Sequence, residues 1–166
     1  EVRRLAGVSG AVCSSASFLA GNMVTSWALR DGTEDSMGAS QVDPGLFALY
    51  GIKPVAGVLP ASADGAALPG VALNVSAVRR LGFASPQAAI GHDWLPSSVM
   101  PATALEEMRK EWGAHAVITA VVPDFAFTSV AQPVGPSLFS PWTYGSRSRL
   151  IHIKLSGRQI PETLAA

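Results

Sequence analysis

The hydrophobic pattern is clearest between Val42 and Gly91, where apolar runs alternate with residues that open and end helices. Asp43 and Pro44 are of the types favoured at the N-cap and at the first helical position. The apolar residues that follow are spaced as on one face of a helix: Leu46, Phe47, Leu49 and Tyr50. Gly51 then supplies a stop signal. The pattern predicts a short helix between Asp43 and Gly51.

The rest of this stretch predicts a strand, a loop, a second strand and two further short helices. The loop is Leu59–Gly70, which is rich in Ala, Pro and Gly. The second strand is the β-rich run Val71–Val75, and it leads directly into a helix over Ser76–Leu81. Ser85, followed by a proline, opens the last helix, and Gly91 closes it.

Before this stretch the sequence predicts two strands and a charged loop. Val8–Val12 is rich in Val, Ser and Ala and is predicted as the first strand. Asn22–Leu29 is predicted as a second strand that pairs with the first across a turn at Ala20–Asn22. Arg30–Met37 carries several charges and is predicted as a solvated hairpin tip.

The C-terminal half predicts one helix and two strands separated by an irregular segment. Ala104–Trp112 is helical in pattern, with a threonine cap before it. Ala114–Pro123 is almost continuously apolar, which predicts a strand buried on both faces. Thr128–Thr143 contains several prolines and is predicted to lack regular structure. Ser148–Leu155 alternates in polarity and predicts a half-buried strand.

Composition excludes several classes of partner. The chain has 166 residues, of which 12 are basic and 12 acidic, so its formal net charge is zero. A nucleic-acid-binding domain would need a basic patch, and an anionic membrane surface attracts polybasic segments. The longest apolar run, Ala116–Val122, is too short to span a bilayer. A single cysteine, Cys13, excludes an internal disulfide and a multi-cysteine metal site.

Several short motifs occur in an order that resembles the extracytoplasmic core domain of MacB/FtsX-type ABC transporter permeases. The matching positions include Asp43, Pro44, Gly57, Asn74, Gly91, Asp124 and Phe125. They belong to an aspartate–proline helix, an Ala-Gly pair, an asparagine between strand and helix, an Ala-Ile-Gly end and a strand followed by Asp-Phe. Two positions depart from the family pattern: Val58 stands where an arginine is usual, and Val75 stands where a glutamate is usual.

The resemblance implies an α+β fold with mixed sheets, short helices and two lobes, one inserted in the other. One lobe would comprise residues 1–45 and 114–166, and the inserted lobe residues 46–113. Glu1–Ala6 and the segment from Pro161 would be parts of helices that continue in a longer membrane protein. The domain would lie on the periplasmic or extracellular side of the bacterial inner membrane.

The resemblance also implies a non-catalytic role that requires no cofactor. Such domains couple cytoplasmic ATP hydrolysis to movement outside the membrane, for export of peptide, antibiotic or lipid-like substrates or for mechanotransmission. The implied partners are the transmembrane helices of the same permease, a cytoplasmic ABC ATPase, and a second permease copy or a periplasmic adaptor.

Residue types that carry catalysis are present without a recognisable motif. The nearest approach to a serine-hydrolase elbow, Gly7-Val8-Ser9-Gly10, has the wrong spacing. The three histidines, His92, His115 and His152, are far apart and form no metal-ligand pair in sequence. We therefore predict no catalytic, cofactor-binding or metal site, and histidines at the surface or at strand edges.

Two polar positions have both a structural and a functional interpretation. Asp124 and Phe125 follow the buried strand, so the aspartate either caps a turn beside a core aromatic or anchors a ligand or subunit contact. Asn74 begins an Asn-Val-Ser glycosylation pattern, but capping or backbone pairing is the stronger interpretation where a strand becomes a helix.

Three aromatic residues in or beside irregular segments, Trp94, Trp142 and Tyr144, are candidates for a partner surface. The alternative is that they fill the base of long loops. Two rival functions remain open at this stage: a free-standing periplasmic ligand-binding or sensor domain, and a small hydrolase fragment. The first would show a closed apolar pocket with converging polar groups, and the second a nucleophile or carboxylate pair in a cleft.

Overall fold

A computed structural model of the chain describes residues 2–14, 23–28, 34–43, 45–59, 70–92, 94, 103, 106, 117–126, 133–141, 150–157 and 160–161. The strands are β1 Val8–Ser14, β2 Met23–Ala28, β3 Glu34–Val42, β4 Ala56–Gly57, β5 Val71–Asn74, β6 Ile118–Val122, β7 Ser137–Pro141 and β8 Leu150–Leu155. The helices are α1 Gly45–Leu49, α2 Val75–Arg80 and α3 Pro86–Ala89, preceded by a 3-10 turn at Val2–Arg4.

These strands form one mixed sheet in the order β4-β6-β5-β7-β3-β1-β8, and β2 pairs with β3 off this path. In the middle of the sheet, β5 is parallel to β6 and antiparallel to β7, while β7 is parallel to β3. At one end, β1 is antiparallel to both β3 and β8. The predicted α+β class, with a mixed sheet and short helices, is confirmed.

The sheet is covered by apolar residues on both faces. On one face α2 and α3 pack over a cluster that includes Leu73, and on the other α1 packs over a cluster that includes Phe47. Successive residues of β5 point to opposite faces, so Val71 and Leu73 join the first cluster while Ala72 joins the second. All four residues of β5 are buried, as expected for a central strand with elements on both sides.

Helix α1 forms where the sequence predicts it. The Asp43 carboxylate accepts the N–H of Gly45 at 2.7 Å, which satisfies one otherwise unpaired donor of the first turn. At the other end Gly51 has φ +69°, and the N–H of Ile52 donates to the carbonyl of Phe47 at 2.8 Å. This is a glycine-terminated helix end that a residue with a Cβ would adopt only under strain.

The other two short helices also follow their predicted signals. Asn74 caps α2, and its side chain accepts the N–H of Ala77. Ser85 caps α3 in the same way through the N–H of Ala88, with Pro86 in the first helical turn. Both predictions are confirmed.

The prediction of irregular structure over Thr128–Thr143 is wrong, because this segment contains β7, which lies between β5 and β3. The prolines lie before the strand and at its last residue, where a missing N–H interferes least with pairing. Pro136 even takes part in the pairing with β3, since its carbonyl accepts the N–H of Gly38 at 3.0 Å. Proline content alone was a misleading signal here.

The second strand is confirmed as β2, but its predicted pairing with the first strand is wrong. β2 pairs antiparallel with β3, with Thr25 opposite Met37. β3 begins at Glu34, inside the segment Arg30–Met37 that was predicted as a loop. Glu34 and Asp35 are the first two residues of β3, so the charge of this segment did not rule out a strand.

The buried strand β6 and the half-buried strand β8 are confirmed. In β8 the side chain of His152 is buried, while Ile151 and Ile153 are exposed. The core face of β8 therefore carries the imidazole, a choice that the sequence pattern left open. β5, from the predicted inserted lobe 46–113, pairs with β6 and β7 in the same sheet; the lobe boundaries stay a prediction.

Candidate functional site

Asn74 lies at the junction of β5, α2 and the segment that precedes β7. Its Oδ1 atom accepts the N–H of Ala77 at 2.9 Å and the N–H of Ser137 at 2.8 Å. Its Nδ2 atom donates to the carbonyl of Gly135 at 2.9 Å. The side chain is 1% exposed. One amide therefore satisfies three main-chain groups from two other segments, α2 and the start of β7.

Asp124 adds a second contact at the start of α2. Its Oδ1 atom accepts the N–H of Ser76 at 2.9 Å, and its Oδ2 atom accepts the Ser76 hydroxyl at 2.8 Å. The carboxylate thus stabilises the first turn of a helix contributed by another part of the chain. We refer to Asn74, Ser76, Asp124, Gly135 and Ser137 as the Asn74 cluster.

Phe125, next to Asp124, packs into the core beside α1. Its ring stacks on Phe139 at 5.3 Å between centroids and meets the edge of Phe47 at 6.4 Å. The two neighbouring residues therefore contact different helices: Asp124 accepts hydrogen bonds from the first turn of α2, and Phe125 packs beside α1.

Gly57 is required by its surroundings. It has φ +70°, and a Cβ added there would lie 2.1 Å from the carbonyl oxygen of Thr119. β4 approaches β6 closely at this point, with the N–H of Val58 donating to the same oxygen at 2.9 Å. Gly91 has φ +83°, and its N–H donates to the carbonyl of Ile118 at 2.9 Å.

A second polar group, here called the His152 cluster, consists of Ser14, Tyr50 and His152. Ser14 Oγ lies 2.7 Å from His152 Nε2, and Tyr50 Oη lies 2.9 Å from His152 Nδ1. The two rings meet edge to face, with centroids 5.8 Å apart. The cluster connects β1, β8 and the residue that follows α1.

Burial changes the acid–base properties of this cluster. It lowers the pKa of His152 from 6.5, because an imidazolium loses hydration inside the protein. It raises the pKa of Tyr50, because the phenolate would be desolvated. The neutral forms of both side chains are therefore favoured at neutral pH.

A third contact in the same place comes from Lys154, whose Nζ atom donates to the carbonyl of Leu49 at 3.0 Å. Leu49 is the last residue of α1, where a cation is favoured by the helix dipole. Gly10 leaves space for this helix end, since a Cβ at that position would lie 2.6 Å from Leu49 Cδ1.

The Ser14–His152 pair has the spacing of a nucleophile and its base, but Ser14 is 0% exposed. A substrate carbonyl has no approach to this hydroxyl, and the second ring nitrogen meets a phenol rather than a carboxylate. Among the described residues, no group of three or more His, Cys, Asp and Glu side chains converges as a metal site would require. The geometry supports a structural use of the cluster.

In the part of the chain that the structure describes, no helix is long and apolar enough to cross a membrane.

The predicted partner-surface residues fall into two groups. Trp94 is 5% exposed and belongs to the cluster under α2 and α3, so little of its indole is available to a partner. Trp142 and Tyr144 lie outside the described residues, as do Pro44 and His115. His92 is exposed and its ring lies 5.3 Å from that of Phe83, in line with the expected surface histidine.

The His152 cluster could not be found from the sequence. Ser14 and His152 are 138 positions apart, and Tyr50 is 102 positions from His152. The only local signal is in β8, where His152 occupies a position on the core face that would usually be apolar. Such a residue needs buried hydrogen-bond partners, but the sequence does not show which ones.

No family model matches the chain, and no curated protein sequence matches it. Solved structures do. A domain of a protein described as a permease from Porphyromonas gingivalis superposes with a TM-score of 0.62 at 15% identity, covering 97% of this chain and 67% of that one. The periplasmic region of MacB from Actinobacillus actinomycetemcomitans gives 0.59 at 14% identity, covering 99% and 65%.

A third structure agrees with these two. The extracellular domain of the noncanonical ABC-type transporter YknZ from Gram-positive bacteria gives a TM-score of 0.57 at 13% identity, covering 98% of this chain and 73% of that one. The fold is that of the extracytoplasmic domains of ABC transporter permeases. The resemblance inferred from the motifs is therefore confirmed at the level of fold. The chain spans between 65% and 73% of the length of these structures.

Proposed function

We propose that this chain is a non-catalytic extracytoplasmic domain of an ABC transporter permease. The observation that carries the proposal is the likeness over nearly the whole chain to extracellular and periplasmic domains of such proteins. In this proposal the domain lies outside the bacterial inner membrane and belongs to a protein with transmembrane helices. That protein would act together with a cytoplasmic ABC ATPase and with a second permease copy or a periplasmic adaptor.

The proposed mechanism is mechanical. ATP binding and hydrolysis in the cytoplasm would move helices that continue from the domain, and the domain would transmit that movement outside the membrane. A rigid body suits this task because force applied at one element must reach another without being absorbed. The sheet buried on both faces and the polar contacts of the Asn74 cluster support such rigidity. Export of peptides, antibiotics or lipid-like molecules and mechanotransmission without cargo are both compatible with this mechanism.

The test is a distance measurement in the full-length protein, reconstituted with its ATPase in lipid nanodiscs. Spin labels at Ala48 on α1 and Ala88 on α3, both exposed, report on separate elements of the domain. Cys13 and any other native cysteine of the full-length protein would be replaced by serine so that only the introduced cysteines react. Double electron–electron resonance then compares the nucleotide-free and ATP-bound states.

We expect the distance between the same label on two permease copies, or between the label and a transmembrane site, to change on ATP binding. The distance between Ala48 and Ala88 should stay constant if the domain moves as a rigid body. An ATPase variant that cannot bind ATP is the control and should abolish the change. Identical distances with and without ATP in an active transporter would contradict the coupling, and would favour a ligand-binding or sensor domain.

A further inference from the structure

We draw no further inference here: the strongest candidate, the apolar face at the β8 end of the sheet where Ile151 and Ile153 are exposed, carries none because nothing in the described part of the structure shows what covers it.

Discussion

Replacing Asn74 by alanine should destabilise the domain more than any ordinary loss of a helix cap. The substitution removes the acceptor for two main-chain donors, the N–H groups of Ala77 and Ser137. Both residues are buried, at 0% and 7% exposure, so water cannot readily replace the lost partner. Gly135 is more exposed, and its carbonyl can turn to solvent.

The magnitude follows from these contacts. A buried donor left without a partner costs about 1–3 kcal/mol. Two such donors, together with the small cavity left by the amide, give a loss of about 3–5 kcal/mol in the free energy of unfolding. Since small domains are stable by about 5–15 kcal/mol, this would remove much of the total.

Urea unfolding of the chain, followed by circular dichroism, measures this loss. Ser85→Ala is the matched control, because Ser85 also caps a short helix with its side chain but makes this contact at an exposed site. We expect the control to lose about 1 kcal/mol, the usual value for a cap. If Asn74→Ala lost no more than Ser85→Ala, the view of Asn74 as a junction between β5, α2 and β7 would be refuted.

Three further predictions concern other parts of the structure. Gly57→Ala should lose more stability in urea unfolding than Gly82→Ala. Both glycines have positive φ, but only at Gly57 would the new Cβ collide with the main chain. A similar loss for the two variants would contradict the close approach of β4 to β6. Asp124→Ala should lower stability by about 0.5–2 kcal/mol, because it removes the acceptor for both Ser76 donors in the first turn of α2. Asp124→Asn keeps one acceptor and should lose less; an Asp124→Ala variant as stable as the unchanged protein would mean that the Ser76 contact contributes nothing. The free energy of unfolding should fall as the pH drops below 6.5, because His152 binds a proton more readily in the unfolded chain than in the folded protein. The slope should be at most about 1.4 kcal/mol per pH unit. His152→Gln should flatten this part of the stability profile, and an unchanged profile in that variant would contradict the prediction.

Local signals in the sequence predicted the short helices well. Asp43 and Ser85 act as caps, and Gly51 and Gly91 end or follow helices with positive φ. Such signals work because a cap satisfies main-chain donors within three residues of itself, so its physics is contained in a short window.

Long-range contacts could not be predicted in this way. β7 lies inside the sheet because β5 and β3 pair with it on its two sides. The residues of Ser137–Pro141 do not indicate these partners in the sequence. The same holds for Asn74, whose contacts with Gly135 and Ser137 span 61 and 63 positions. The motif order indicated the fold of permease domains, although the sequence physics alone gave only a neutral α+β domain.

The central claim is that this domain lies outside the membrane as part of a permease, and thiol labelling in intact cells tests it most directly. The full-length protein, with Cys13 replaced by serine and any other native cysteines removed, would carry one new cysteine at exposed Ala48. Reaction with a membrane-impermeant maleimide before lysis, after permeabilising any outer membrane, is the predicted result. Labelling only after the inner membrane is disrupted would place the domain in the cytoplasm and contradict the account.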